Sequence, residues 1–233
     1  MTMIKQDADA SLRIALLSVA KLEILLAFRR AGDLLLPLIF LTMICSLFPL
    51  AIGPERNVLV LIGPGVVWVG AILAQLLRAQ SLFREDFADG TLELFILCGQ
   101  PLAALVTLKL LAHWLVSGLP LALMSPVLAA TYQLPMSTVP VLVGSLALGT
   151  LVLTLLGALG AALTLLSRQS SVLLSLLVLP LSMPVLIFGA RAVSLAAQGQ
   201  SAAAALKLLA ALAILGLTLA PLAIAPAIRI SNE

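Results

Sequence analysis

Few side chains in this sequence could carry out chemistry. His113 is the only histidine, and the two cysteines, Cys45 and Cys98, lie far apart and form no C-x-x-C pair. A catalytic nucleophile needs a base within reach, and proton-driven transporters usually carry a carboxylate in mid-membrane. All ten acidic residues lie outside the long apolar runs, and His113 has no acidic partner in its own run. There is also no G-x-x-x-x-G-K-[ST] loop for ATP. We therefore predict a non-catalytic protein whose energy comes from another subunit.

The composition indicates which elements position these few residues. Hydrophobic residues make up 62% of the chain and charged residues 10%, whereas soluble domains average about 45–50% apolar and about 25% charged residues. A soluble domain of this size must cover its surface with polar side chains, so the excess of apolar residues predicts an all-α membrane protein. The cysteines are then ordinary small apolar residues, with no disulfide, redox or zinc motif.

Six uncharged apolar runs are long enough to cross about 30 Å of hydrocarbon as helices. They form a predicted single transmembrane domain over residues 34–233. The predicted spans are residues 34–52, 58–77, 101–131, 138–166, 172–190 and 202–228.

The first 33 residues are predicted to form a cytoplasmic or interfacial helix rather than a seventh span. Residues 11–28 are apolar, but Arg13, Lys21 and Glu23 interrupt them, and each charge at the bilayer centre would cost a few kcal/mol. The stretch has neither a clean apolar centre nor a small-residue cleavage site, so we expect no cleaved signal peptide.

The distribution of lysine and arginine predicts the orientation. With the N-terminus inside, ten of the 13 basic residues lie on the cytoplasmic side, and only Arg56, Arg191 and Lys207 lie outside. An even number of spans returns the C-terminus to the cytoplasm as well. We therefore predict a multi-pass membrane protein with both termini cytoplasmic.

The spans are rich in proline, and the fourth is also rich in glycine. Each internal proline frees a backbone carbonyl and bends its helix, which neighbouring helices and hydroxyl groups can compensate. Small residues such as Gly144, Gly149, Gly157 and Gly160 let helices approach closely. Two interpretations remain open, namely simple packing and the movable helices of a transporter. The prolines are Pro37, Pro49, Pro64, Pro120, Pro126, Pro140, Pro180, Pro184, Pro221 and Pro226.

Residues 78–100 form the one long polar loop and are predicted to be an amphipathic cytoplasmic helix or helix pair, broken near Gly90. At 100° per residue, one stripe contains Phe83, Phe87, Leu94 and Cys98. The opposite side contains Glu85, Asp86, Asp89 and Glu93. Anionic lipids would repel an acidic face, so a basic or grooved protein partner suits it better. A solvated helix without a partner is the alternative.

This loop also resembles a known family. The stretch Leu82-Phe83-Arg84-Glu85-Asp86, followed by Asp89-Gly90-Thr91-Leu92-Glu93, is similar to the cytoplasmic motif of the CcmB family of bacterial cytochrome c maturation. The resemblance extends from about residue 12 to residue 230. Other matching stretches, in order, are Phe28-Arg29-Arg30, Leu47-Phe48-Pro49-Leu50, Ile52-Gly53-Pro54-Glu55, Gly63-Pro64-Gly65, Trp68-Val69, His113-Trp114, Gly118-Leu119-Pro120 and Leu177-Val178-Leu179-Pro180.

The resemblance implies an ABC-2 or type V exporter-like permease of the bacterial inner membrane. It would associate with the ATPase CcmA, with CcmC and CcmD, and with the haem chaperone CcmE. A second copy of the chain is a further partner to be tested. ATP and Mg²⁺ would bind to CcmA, and haem to CcmC and CcmE, so no cofactor is expected on this chain. ATP hydrolysis would drive release of haem-loaded CcmE in the periplasm. His113 would then be structural, because one histidine near the inner face cannot supply two axial haem ligands.

In permeases of this shape, the loop between spans two and three docks on the ATPase. The resemblance assigns this coupling role to Phe83, Arg84, Glu85, Asp86, Phe87, Asp89, Gly90 and Glu93. Two other functions share much of the pattern. A general ABC-2 exporter of a lipid or small molecule would have a substrate-sized polar cavity, and an uncoupled scaffold subunit would have a disordered or exposed loop.

Overall fold

The computed structural model describes residues 18–26, 29, 31–167 and 169–231, and these residues contain helices and no strand. We label the helical segment 18–26 as α1. The remaining α-helices are α2 (Ala31–Ile52), α3 (Arg56–Ala79), α4 (Arg84–Ala88), α5 (Thr91–Leu97), α6 (Leu102–Thr131), α7 (Val139–Leu163), α8 (Ser170–Ala197) and α9 (Ala203–Ser231), with a short 3₁₀ turn at Met136–Thr138 before α7.

Within the described residues, six helices are long and apolar enough to cross a membrane, which confirms the predicted fold class. They are α2, α3, α6, α7, α8 and α9. The largest difference from the predicted spans is at the end of α8, which continues to Ala197 although the apolar run stops before Arg191. The exposed Arg191 side chain leaves the helix intact, because a helix ends where its backbone hydrogen bonds end and not where its apolar character does.

The predicted N-terminal helix lies only partly within the described residues. Residues 18–26 are helical, as expected. Arg13, one of the charges in this stretch, lies outside the described residues, as do Phe28 and Arg30 of the stretch that resembles the family.

Helix α7 is the centre of the bundle. It packs against α3, α6, α8 and α9, whereas α2 packs at the edge against α3 and α6. Large apolar side chains such as Leu36, Ile39, Leu47 and Leu50 remain exposed on α2. Because a membrane protein faces hydrocarbon, exposed apolar side chains on the long helices are expected and need no partner chain.

Glycines create the closest helix contacts. Gly149 of α7 and Gly189 of α8 both face the ring of Trp68, which is completely buried, and a Cβ at either position would overlap the indole. Gly157 faces Ala79 of α3 in the same way, and Gly160 faces Val178 of α8. The predicted packing role is therefore confirmed for these glycines. It is wrong for Gly144, where a Cβ would meet open space.

Two internal prolines have hydroxyl groups that compensate for the missing backbone hydrogen bond, as predicted. Pro49 has no N–H for the carbonyl of Cys45 one turn earlier, and the Tyr132 hydroxyl donates to that carbonyl at 2.7 Å. Pro126 similarly frees the Ala122 carbonyl, which accepts a hydrogen bond from Ser125 at 2.6 Å. The first of these bonds also ties the end of α6 to α2.

We predict that Tyr132→Phe lowers the free energy of unfolding by about 1–3 kcal/mol, because it leaves a buried carbonyl of Cys45 without a donor. Denaturant unfolding of the protein in detergent micelles measures this change. In a Pro49→Ala background, the new backbone N–H can bond to the Cys45 carbonyl, so the same substitution should cost clearly less. An equal cost in both backgrounds would contradict this explanation.

Candidate functional site

Helices α4 and α5 form a compact element between the second and third long helices. A short turn joins α3 to α4, and Gly90 joins α4 to α5 with a φ angle of 79°, in the left-handed region that favours glycine. The Asp89 carboxylate accepts a hydrogen bond from the backbone N–H of Thr91 at 3.0 Å and stabilises this turn. The predicted break near Gly90 is therefore confirmed.

The predicted faces of this element are wrong, because one stripe requires one continuous helix, whereas Phe83 lies before α4 and the turn at Gly90 separates α4 from α5. The supposed apolar stripe does not exist: Phe83 is completely buried, whereas Phe87, Leu94 and Cys98 are exposed. The residue that anchors α5 is Leu92, which is also completely buried.

The acidic side differs from the expectation as well. Asp86 is buried within the chain, at 8% exposure. Of the other residues with a predicted coupling role, Phe83 is also buried, Gly90 occupies the turn and the remainder are exposed. The exposed set consists of Arg84, Glu85, Phe87, Asp89 and Glu93.

Asp86 belongs to a cluster of charges that three helices bring together. The Lys109 ammonium of α6 lies 2.7 Å from an Asp86 carboxylate oxygen in α4 and 2.7 Å from a Glu23 carboxylate oxygen in α1. The other oxygen of Glu23 is 2.9 Å from Nδ1 of His113, one turn further along α6. We call these four residues, Glu23, Asp86, Lys109 and His113, the Lys109 cluster.

The cluster is largely removed from water. Side-chain exposure is 5% for Lys109 and His113, 11% for Asp86 and 14% for Glu23. Burial alone would raise the pKa of the Glu23 carboxyl, but the hydrogen bond with His113 and the charge of Lys109 outweigh it and lower the pKa from 4.5 to about 2. Glu23 therefore stabilises the fold fully above pH 4.5, and its contribution is lost as the pH falls towards 2.

A small polar pocket adjoins the cluster. It has a volume of about 60 Å³ and is also lined by Arg78, Ser81 and Glu85. This volume suits about two water molecules. In the part of the chain that the structure describes, no three His, Cys, Asp or Glu side chains converge as a metal site would require. The arrangement is thus an ion-pair junction between helices.

Sequence reasoning missed the Lys109 cluster because it looked for an acidic partner of His113 only within the same span. The structure supplies that partner from α1, through Glu23. A signal was available, since a lysine seven residues into an apolar helix needs an opposite charge nearby. The sequence left open whether Glu23, Asp86 or another acid met this need.

Comparison with known proteins agrees with this architecture. A family model described as CcmB protein matches residues 14–231. The heme exporter protein B of Pseudomonas aeruginosa is 51% identical over 209 residues, which cover 90% of this chain and 94% of that protein. The proteins of the same name from Paracoccus denitrificans and Escherichia coli K12 are 48% and 43% identical, over 90% and 92% of this chain and over 96% and 98% of their own lengths.

The family match extends over nearly the whole chain and includes every described long helix, the α4–α5 element and the Lys109 cluster. Its relatives match almost end to end. This chain is therefore a multi-pass membrane protein that belongs to the CcmB family.

Proposed function

We propose that this chain is the membrane-spanning subunit of an ABC-type complex of cytochrome c maturation. In this proposal, the ATPase CcmA docks on the α4–α5 element, and ATP hydrolysis drives release of haem-loaded CcmE in the periplasm. CcmC and CcmD are the other partners. The observation that carries the proposal is that α4–α5 is an ordered helical element with one side anchored in the bundle and the other side exposed.

The exposed side of this element has the character of a protein interface. Leu94 and Leu97 are 66% and 79% exposed although they lie outside the six long helices. Asp89 and Glu93 lie on the same exposed element. Apolar side chains in water favour a partner, and acidic neighbours make anionic lipid an unsuitable one. A basic groove on a cytoplasmic protein fits both features.

The single histidine supports the assignment of haem to other subunits. His113 lies in the first half of α6, at the predicted cytoplasmic end, and its Nδ1 is engaged with Glu23. A haem site facing the periplasm would need axial ligands at the opposite end of the bundle. In the proposed complex, haem is therefore bound by CcmC and CcmE, ATP and Mg²⁺ by CcmA, and this chain transmits motion.

Two cavities among the described residues do not favour the alternative of a polar substrate. The polar pocket beside the Lys109 cluster holds about 60 Å³. A larger groove of about 380 Å³ lies between α7, α8 and α9, but its lining is made of leucine, valine, alanine, proline and glycine. The scaffold alternative expects an exposed or disordered loop without an ATPase partner, so it is tested by ATPase binding.

Charge reversal on the exposed side of α4–α5 tests the proposal. We choose Asp89→Asn together with Glu93→Lys, because asparagine can keep the hydrogen bond to Thr91. Asp86 is unsuitable, since it is buried against Lys109. We expect co-purification of CcmA with the tagged membrane protein to fall about tenfold or more, as for a loss of about 1.4 kcal/mol in binding.

The matched control is Glu55→Lys, a charge reversal of an exposed acid at the other end of α3. It should leave CcmA binding unchanged. A second measurement uses the native thiols: Cys98 is exposed at the end of α5 and Cys45 is buried, so bound CcmA should slow maleimide labelling of Cys98. Unchanged co-purification together with an unchanged yield of cytochrome c would refute the proposal.

A further inference from the structure

We propose that Lys109 is the positioning residue that joins the α4–α5 element and α1 to α6, so that a displacement of α4 by the ATPase moves α6 and α1 with it. The inference rests on the proposed function, because it describes how a push on the docked element would reach the spans. It assigns to the Lys109 cluster the transmission of motion from α4 to α6 and α1.

The contacts of Lys109 connect parts of the chain that lie far apart in the sequence. Glu23 and Lys109 are 86 residues apart in the sequence, yet their charged atoms lie 2.7 Å apart. The same ammonium group contacts Asp86 in the middle of the five-residue helix α4. An ammonium has three donors, so it can bind both carboxylates at once. One side chain thus holds three helices together.

The cluster lies near the start of α6, so a sideways displacement of α4 would act on this end of the helix. Lys109 is seven residues after the first residue of α6, which places it about 10 Å along the helix. Glu23 contacts Lys109 and also His113, which follows one turn later on the same face of α6. Helix α1 is therefore attached to two successive turns of α6, and α4 is attached to the first of them.

Burial makes this junction suitable for transmitting force. Exposed ion pairs are weak and are screened by salt, whereas the Lys109 and Asp86 side chains are 5% and 11% exposed. The low local dielectric strengthens each contact and penalises its separation. Moving α4 without α6 would leave a buried carboxylate apart from its cation, so joint movement is favoured.

Asp86→Asn tests the junction at its link to α4. The substitution removes one carboxylate but leaves Lys109 paired with Glu23, and it does not touch the exposed docking residues. We measure CcmA binding, ATP hydrolysis and CcmE release in the reconstituted complex with CcmC and CcmD. We expect normal CcmA binding but at least about fivefold fewer CcmE molecules released per ATP hydrolysed, the lower end of typical coupling free energies.

The conservative variant Asp86→Glu keeps a carboxylate within reach of Lys109 and should retain most of the release. Because release is expressed per ATP hydrolysed, a smaller amount of folded complex does not mimic the effect. Unchanged release per ATP in Asp86→Asn would overturn the proposal. Loss of CcmA binding in Asp86→Asn would also overturn it, since Asp86 would then shape the docking surface instead of transmitting its motion.

The test separates this inference from the proposed function. If the unmodified complex binds no CcmA, or if Asp89→Asn with Glu93→Lys leaves both CcmA binding and the yield of cytochrome c unchanged, the proposed function fails. Suppose that CcmA binds the unmodified complex and that the surface variant abolishes this binding. If Asp86→Asn then releases as much CcmE per ATP as the unmodified complex, only the proposed role of Lys109 fails. Glu23→Gln tests the contact between α1 and α6 separately, because it weakens the pair between Glu23 and Lys109 and leaves the pair between Lys109 and Asp86.

Discussion

Replacing Lys109 by methionine is expected to lower the free energy of unfolding by about 3–5 kcal/mol. Methionine is similar in length but carries no charge, so Glu23 and Asp86 would be left buried without their common cation. Removing one partner of a buried ion pair has this large cost because the remaining charge has already lost its water. Denaturant unfolding in micelles, together with the amount of folded protein recovered from membranes, measures the loss.

Neutralising the acids provides the control for this prediction. Glu23→Gln and Asp86→Asn each leave one carboxylate paired with Lys109, so each should cost much less than Lys109→Met. Combining all three substitutions removes the charges of Glu23, Asp86 and Lys109 together and should recover much of the stability. If Lys109→Met were as well tolerated as the single neutralisations, Lys109 would not be the common partner of both acids.

The second large effect is expected at the ring of Trp68. Gly149→Ala or Gly189→Ala places a Cβ inside the van der Waals radius of the indole. The ring is rigid and buried between α7 and α8, so it cannot turn aside as a flexible side chain would. We expect each substitution to lower the free energy of unfolding by at least about 1–3 kcal/mol, the usual cost of overpacking.

Gly144→Ala is the matched control, because Gly144 lies five residues before Gly149 in α7 and has nothing near its Cβ position. There, alanine should be neutral or stabilising by up to about 1 kcal/mol, owing to its higher helix propensity. Trp68→Phe should reduce the cost of Gly149→Ala, since a smaller ring leaves space. Equal behaviour of Gly144→Ala and Gly149→Ala would show that helix propensity, not the contact with Trp68, governs both sites.

Sequence periodicity was a good guide within single helices and a poor one across a turn. The break at Gly90 was predictable because a glycine between two short apolar stretches favours a turn. The exposure of Phe87 and Leu94 was not predictable. It depends on how the chain enters α4 after Phe83 and on the angle between α4 and α5, and the packing of Phe83 and Leu92 in the bundle fixes both. A rotation of 100° per residue holds only while the helix continues.

The partner of a buried charge was the other feature that sequence reasoning did not find. Lys109 required an acid, but ten acids were available in the chain. Glu23 is separated from Lys109 by four helices of the fold and the connections between them. No local pattern encodes a contact over that distance, so only the packed structure identifies the pair.

The amino-acid sequence by itself determined that this protein is a bundle of about six membrane-spanning helices, most of which contain prolines. It could do so because hydrocarbon accepts only long apolar helices, and proline acts on the backbone locally. Only the tertiary structure decided which side of α4–α5 is exposed and which acids meet Lys109. Those features arise from contacts between distant segments, and burial turns these contacts into a requirement for charge pairing.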